Sequence, residues 1–136
     1  MSEGRIWDPL RRREVPLTPE ERVRQWLIAY LMQEVKVPAH MMMSEVAMKY
    51  GNSGKEYRAD ILIYGKDARP LAVAECKRPD VKLGPEVLEQ ALRYDMVLDV
   101  PYIIITNGAV TYAFHRRCGE LEQMDVIPEY SVLCQR

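Results

Sequence analysis

Three residues in the stretch "RADILIYGKDARPLAVAECKRPD" have the types and spacing for chemistry on a phosphate. Asp60 precedes Ile61-Leu62-Ile63, and Glu75 and Lys77 follow Leu71-Ala72-Val73-Ala74. If the two apolar runs form a hairpin in which Gly65 faces Pro70, partner numbers sum to 135 and Asp60 stands opposite Glu75. Directly opposed residues of an antiparallel pair share a face with Cβ atoms about 4.5–5.5 Å apart. Alternation along the strand then puts Lys77 on the face of Glu75 and turns Cys76 away. Two carboxylates so close repel unless a cation lies between them. A hard ion such as Mg²⁺, held by the carboxylates, waters and a phosphate oxygen, relieves that repulsion. A lysine beside it can orient or deprotonate a water and steady negative charge on the phosphate. The same Glu-x-Lys spacing also suits a salt bridge capping the end of a sheet, and a turn one residue longer would send Asp60 to the other face.

The elements that must position these residues follow from the apolar pattern. "LTPEERVRQWLIAYLMQEV" predicts a helix with Thr18 as N-cap, Pro19 as first helical residue, and Glu20 and Glu21 in the first turn, where acids suit the helix dipole. Val23, Trp26, Leu27, Tyr30 and Leu31 form a stripe facing a core, and Pro38 ends the segment. Met41 to Tyr50 reads as a strand that turns at "GNSG", residues 51–54, into the two quoted runs, making a three-stranded meander. A second helix opens at Pro85, with Val87, Leu88, Ala91 and Leu92 on its apolar side. "PYIIIT" reads as a buried strand closed by Asn107-Gly108, and "AVTYAFHR" as a further strand. This order predicts an α/β fold, a mixed sheet flanked by helices, over residues 18–117. Residues 1–17, with Pro9, Pro16 and Arg11-Arg12-Arg13, read as an extended or mobile arm, and 118–136 as a tail with little pattern.

A chain of 136 residues, 48% hydrophobic and 29% charged, fits one globular domain rather than a disordered or membrane-embedded segment. No apolar run approaches the ~20 residues needed to span a bilayer, and the N-terminus lacks a secretory signal, which predicts a cytoplasmic protein with no membrane partner. Cys76, Cys118 and Cys134 show no C-x-x-C spacing and read as free thiols. The net charge of -1 exerts no global pull on nucleic acid, so any such binding falls to short clusters such as Arg11-Arg12-Arg13, Lys77-Arg78 and Arg116-Arg117. Met41, Met42 and Met43 read as core or sheet filling, and the isolated His40 and His115 as structural or exposed.

Taken together, these residues resemble the PD-(D/E)xK nuclease superfamily and, more narrowly, the N-terminal nuclease domain of type I restriction enzyme R subunits. The motif reads "RAD", fourteen residues, then "ECK", with Ala59 where the superfamily has proline. "TPEERVRQ" resembles the group's first-helix motif, whose glutamate is Glu21 here. "EQALRYDMVL" carries Gln90 and Tyr94, like the Q-x-x-x-Y motif of RecB-like nucleases, spaced to share one helix face. "IIITNG" resembles the family's strand end, and the likeness runs from Thr18 to His115.

The resemblance implies a restriction-endonuclease-like αβββαβ core and metal-dependent hydrolysis of DNA phosphodiesters, with endonuclease action favoured. Asp60, Glu75 and the Cys76 backbone carbonyl would bind Mg²⁺, for which Mn²⁺ can substitute, and Glu21 would support the metal. Lys77 would position the attacking water, while Gln90 and Tyr94 would orient the site or substrate. Arg78, Lys82, Arg11, Arg12 and Arg13 would contact phosphates, which place the backbone without reading sequence. R subunits of this family carry a translocase after the nuclease, whereas this chain ends at Arg136 and "GNSGKE" lacks the spacing of a P-loop. ATP-driven movement is therefore not implied, and separate motor or specificity subunits and a homo-oligomer stay open as partners besides DNA. The rival from another class is a non-catalytic module that keeps the fold to bind nucleic acid or protein; the intact Asp60, Glu75 and Lys77 argue against it.

Overall fold

In the computed structural model, residues 4–50, 55–96 and 99–135 are described, with backbone alone at 50, 55 and 94–96. Helix α1, Pro19–Gln33, starts where the capping residues predict, and the Thr18 hydroxyl accepts the Glu21 N–H at 3.1 Å. Its buried stripe is Val23, Leu27, Ile28 and Leu31. Trp26, expected to face the core, is instead 42% exposed and stacks on Tyr30. It lies about 100° around the helix from Leu27, on the rim of the stripe. The helix stops at Gln33, short of Pro38, while Val35 and Val37 remain in the core.

Strands β3 (Met42–Tyr50), β4 (Lys55–Tyr64), β5 (Pro70–Cys76), β6 (Tyr102–Thr106), β7 (Thr111–Arg117) and β8 (Glu120–Met124) form one sheet in that order. Only β5 and β6 pair in parallel. A parallel neighbour needs a crossover, which helix α2, Pro85–Met96, supplies. On one face α1 packs Leu27 and Leu31 against Ile61, Ile63, Ala72 and Ile104. On the other, Ala91 of α2 joins Leu62, Val73, Ile103 and Ile105. Strand β6 is thus buried on both faces, which is why it reads as an unbroken apolar run. The "GNSG" turn lies outside the described residues.

Both ends of the chain carry more structure than their patterns suggest. The N-terminal segment is a hairpin, β1 (Arg5–Asp8) with β2 (Arg13–Pro16), rather than a mobile arm. The buried Asp8 carboxylate accepts the backbone N–H groups of Leu10 at 2.8 Å and Arg11 at 3.3 Å and pairs with the Arg11 guanidinium, closing the turn. At the other end β8 pairs with β7, and helix α3, Tyr130–Leu133, is pinned by Tyr130 Oη donating to the Tyr64 carbonyl at 2.7 Å. A largely exposed edge strand and a one-turn helix are too short and too polar to show a period. No helix among the described residues is long and apolar enough to cross a membrane.

Leu27 is fully buried between α1 and the sheet. Leu27→Ala is expected to cost about 2–5 kcal/mol, seen as a lower urea midpoint at unchanged slope.

Candidate metal and phosphate site

The ladder between β4 and β5 pairs Ile61 with Ala74, Leu62 with Val73 and Ile63 with Ala72, the expected register, but it begins at Ile61, and the expected pair of Asp60 with Glu75 is not part of it. At the turn the expectation fails, because Tyr64 rather than Gly65 pairs with Pro70. Leu71 becomes an extra residue in β5. Pro70 has no N–H to give the ladder, and the turn closes instead through Gly65 N–H to the Arg69 carbonyl at 2.8 Å, with Ala68 at φ 65. The bulge absorbs the turn without altering the pairs beyond it.

On its other side β4 pairs with β3 in constant register, except that the ladder lacks the pair of Glu45 and Asp60. Glu45 takes φ 55, left-handed backbone that a glutamate seldom adopts. Here β4 changes faces: Tyr57 and Ala59 pack on the α2 side, Ile61 and Ile63 on the α1 side. A strict period of two would keep all four on one face. Asp60 sits at this break. Its Oδ2 accepts the Cys76 N–H at 2.7 Å, and its Oδ1 lies 3.4 Å from Arg24 Nη2.

Glu75 is the second carboxylate. Tyr57 Oη donates to its Oε1 at 3.4 Å, whereas Oε2 is buried, accepts no hydrogen bond and lies 3.5 Å from Lys77 Nζ. Lys77 N–H donates to the Thr106 carbonyl at 2.8 Å, and Asn107 Nδ2 donates to the Val81 carbonyl at 2.8 Å. The end of β6 therefore holds Lys77 and the segment after it.

Burial pushes the Asp60 carboxyl up to about 6; the Cys76 N–H and Arg24 oppose this, and the charges of Glu20 and Glu75 add to it. Burial also pushes the Cys76 thiol up, so at neutral pH the side chain offers no thiolate, and the oxygen this residue can offer a hard cation is its backbone carbonyl. Among the described residues, no three His, Cys, Asp or Glu side chains form a metal cage. Two carboxylates, one with a buried oxygen lacking a hydrogen bond, instead suit a hard cation that keeps water and phosphate oxygens as its other ligands.

Glu21 is buried, but its Oε2 already accepts from Arg11 Nη2 at 2.7 Å and Gln25 Nε2 at 2.9 Å, and its Oε1 lies 3.6 Å from Arg24 Nη1. Arg11 belongs to that network rather than to an open basic face. Arg12, Arg13, Arg78 and Lys82 are exposed, with Arg78 3.3 Å from Asp80. Gln90 is exposed on α2, and the side chain of Tyr94 lies outside the described residues. Sequence reasoning missed Glu20, Arg24, Glu45 and Tyr57. The acid–arginine spacing in "EERVR" was a signal for the first two; Glu45 and Tyr57 meet the site only through sheet pairing.

Comparison with solved structures defines the class as a restriction-endonuclease-like nuclease fold. A fragment attributed to an HsdR subunit of a type I restriction enzyme from Vibrio vulnificus YJ016 matches with TM-score 0.61 and 21% identity, covering 88% of this chain and 25% of that one. A nuclease-assigned protein from Anabaena variabilis ATCC 29413 gives TM-score 0.54 at 11% identity over 92% of this chain and 79% of that one. The DrdV–DNA complex gives 0.52 at 18% identity over 79% and 10%. Residues 19–128 match the type I restriction enzyme R protein N terminus (HSDR_N), and the chain belongs to this family. Fifty residues, 37% of the chain, are 42% identical to the type I restriction enzyme EcoAI endonuclease subunit of Escherichia coli, of which they cover 6%.

The raised Asp60 value fixes the sign of a pH effect. Between 3.8, its ordinary value, and about 6 the folded chain binds more protons than the unfolded one, so this group's contribution falls as pH rises through that window and is fully unfavourable above it. In EDTA, Asp60→Asn is expected to be more stable than wild type by on the order of 1–3 kcal/mol at pH about 8. That advantage should fade toward pH about 4, as read from paired urea titrations.

Proposed function

We propose that the chain is the nuclease domain of a restriction system and hydrolyses DNA phosphodiesters with a divalent cation held at Asp60 and Glu75. The observation that carries this reading is the buried Glu75 Oε2, which accepts no hydrogen bond and sits beside Lys77 at the same strand end as a desolvated Asp60. Leaving such an oxygen without a hydrogen bond costs about 1–3 kcal/mol, only part of which the Lys77 ammonium at 3.5 Å offsets, and a ligand would recover the rest. Family membership and the likeness to an HsdR fragment support the same reading.

Asp60, Glu75 and the Cys76 carbonyl would hold the ion, with Mg²⁺ the first choice and Mn²⁺ a substitute. Bound there, a divalent cation supplies positive charge to the phosphate oxygens and lowers the cost of ionising a water. Lys77 is placed to orient the attacking water by donating a hydrogen bond and to oppose charge building on the phosphate. The backbone bond from Lys77 to Thr106 restricts where that ammonium can reach. Tyr57 steadies the second Glu75 oxygen. Glu21 acts from behind, through Arg11 and Arg24. Arg78 and Lys82, exposed after the catalytic strand, would meet phosphates, joined by Arg12 and Arg13. DNA is the partner this requires, and further subunits of a restriction complex would supply translocation and site selection.

Mg²⁺ or Mn²⁺ should raise the thermal midpoint by mass action, and Asp60→Asn should abolish the rise; an equal response in both proteins would remove the metal site. Cleavage of single-stranded, duplex and branched DNA separates the roles of the strand-end pair. Lys77→Ala should stop cutting yet keep Mn²⁺ binding, whereas Glu75→Ala should lose both. Metal-independent DNA binding without cleavage of any substrate would favour the non-catalytic module.

A further inference from the structure

Arg24 is 3% exposed on the inner side of α1, an unusual place for a guanidinium. It does not fork onto one carboxylate. Nη1 lies 3.0 Å from Glu45 Oε1, 3.4 Å from Ser44 Oγ and 3.6 Å from Glu21 Oε1. Nη2 lies 3.4 Å from Asp60 Oδ1 and 3.6 Å from Glu20 Oε1, and Nε is buried with no hydrogen-bond partner. A structural arginine gains most from two parallel bonds to a single acid. This one makes a single close bond, to Glu45, and leaves one donor unsatisfied.

The surrounding charges explain the arrangement. Asp8, Glu20, Glu21, Glu45 and Asp60 are five carboxylates paired with two guanidinium groups, those of Arg11 and Arg24, while a third, Arg58, bonds the Glu45 backbone carbonyl at 3.3 Å and acts on the Glu45 carboxylate by charge alone. Arg11 is engaged by Asp8, by Glu21 Oε2 at 2.7 Å and by Glu45 Oε2 at 3.7 Å, which leaves Arg24 to face Asp60. If Arg24 let go of Asp60, it would keep Glu45, Glu20 and Glu21. The contact to Asp60 is therefore one that can be exchanged without stranding the guanidinium.

We propose that Arg24 is a positioning residue, the built-in counter-cation of Asp60, which occupies the carboxylate in the free protein and is exchanged for the divalent cation, so that it sets metal affinity. The proposal rests on the metal reading given under Proposed function. Arg24 and the incoming ion are like charges competing for one oxygen, and partial desolvation of the site strengthens that competition. Burial without a bidentate partner also explains the choice of arginine, whose planar fork spreads its charge over several acids at once.

The test is Mn²⁺ titration by calorimetry at pH about 8, where Asp60 is ionised, on the full chain carrying Arg24→Gln, Arg24→Lys or Asp60→Asn. Arg24→Gln should bind Mn²⁺ on the order of tenfold more tightly than wild type. Arg24→Lys, which keeps the charge, should return affinity to within about twofold. Unchanged or weaker binding by a folded Arg24→Gln would overturn the proposal and make Arg24 a structural anchor. If Arg24→Gln does not fold, Glu45→Gln decides. Glu45→Gln keeps an oxygen acceptor but takes away the negative charge that holds the guanidinium at 3.0 Å, so Arg24 shifts its pairing toward Asp60, Mn²⁺ binding should weaken severalfold, and an unaltered affinity overturns the proposal. Binding by wild type that is lost in Asp60→Asn upholds the metal site whatever the Arg24 variants do; no uptake by any protein overturns both.

Discussion

The Asp60 carboxylate is a charge-bearing group that the fold removes from water at a point where two strands change faces. Two neighbours act to keep it there, against the charges of Glu20 and Glu75. The Cys76 N–H gives it one hydrogen bond from the neighbouring strand, and Arg24 gives it a positive charge from the helix above. Neither restores the carboxyl to its ordinary value, because burial outweighs both. The break itself depends on Glu45 holding a left-handed backbone, at a cost of about 1–3 kcal/mol that the surrounding sheet must bear. Strain of that kind, and nearby a buried Glu75 oxygen with no hydrogen bond, are costs that a purely structural sheet would avoid.

The parallel step in the sheet sets where the chemistry can lie. Because β5 and β6 run the same way, both end at the same edge, and their last residues, Cys76 and Thr106, pair there. Lys77 leaves β5 already bonded to β6, and Asn107 reaches across to Val81, so the loops after the two strands brace each other. Ligands of open α/β sheets gather at such carboxyl ends, where backbone and side chains are released from the ladder but still held by it.

The N-terminal hairpin belongs to the same electrostatic unit, although the family match begins only at residue 19. Burial works against the Asp8 charge, yet the Arg11 guanidinium and two backbone N–H groups hold its carboxyl below the usual range. Arg11 in turn joins β1–β2 to Glu21 on α1 and Glu45 on β3. A segment that reads as a loose basic arm is thus fastened by its own arginine to the acids of α1 and β3.

The sequence by itself determined the order of elements from α1 to β7, the cap and start of α1, the buried character of β6 and the register that pairs β4 with β5 from Ile61 and Ala74 to Ile63 and Ala72. These are local matters: period, capping chemistry and turn residues act within a few positions of one another, and the "RAD" and "ECK" motifs lie inside two adjacent strands. What only the tertiary structure decided is who meets Asp60. Arg24 comes from a helix 36 positions away and Glu45 from the far side of a hairpin, and neither leaves a mark in the pattern of β4. The bulge at Leu71, the face change at Asp60 and the exposure of Trp26 likewise depend on how strands and helices fit once packed. Charges in a buried network choose partners by distance in space and by desolvation, and sequence separation constrains neither.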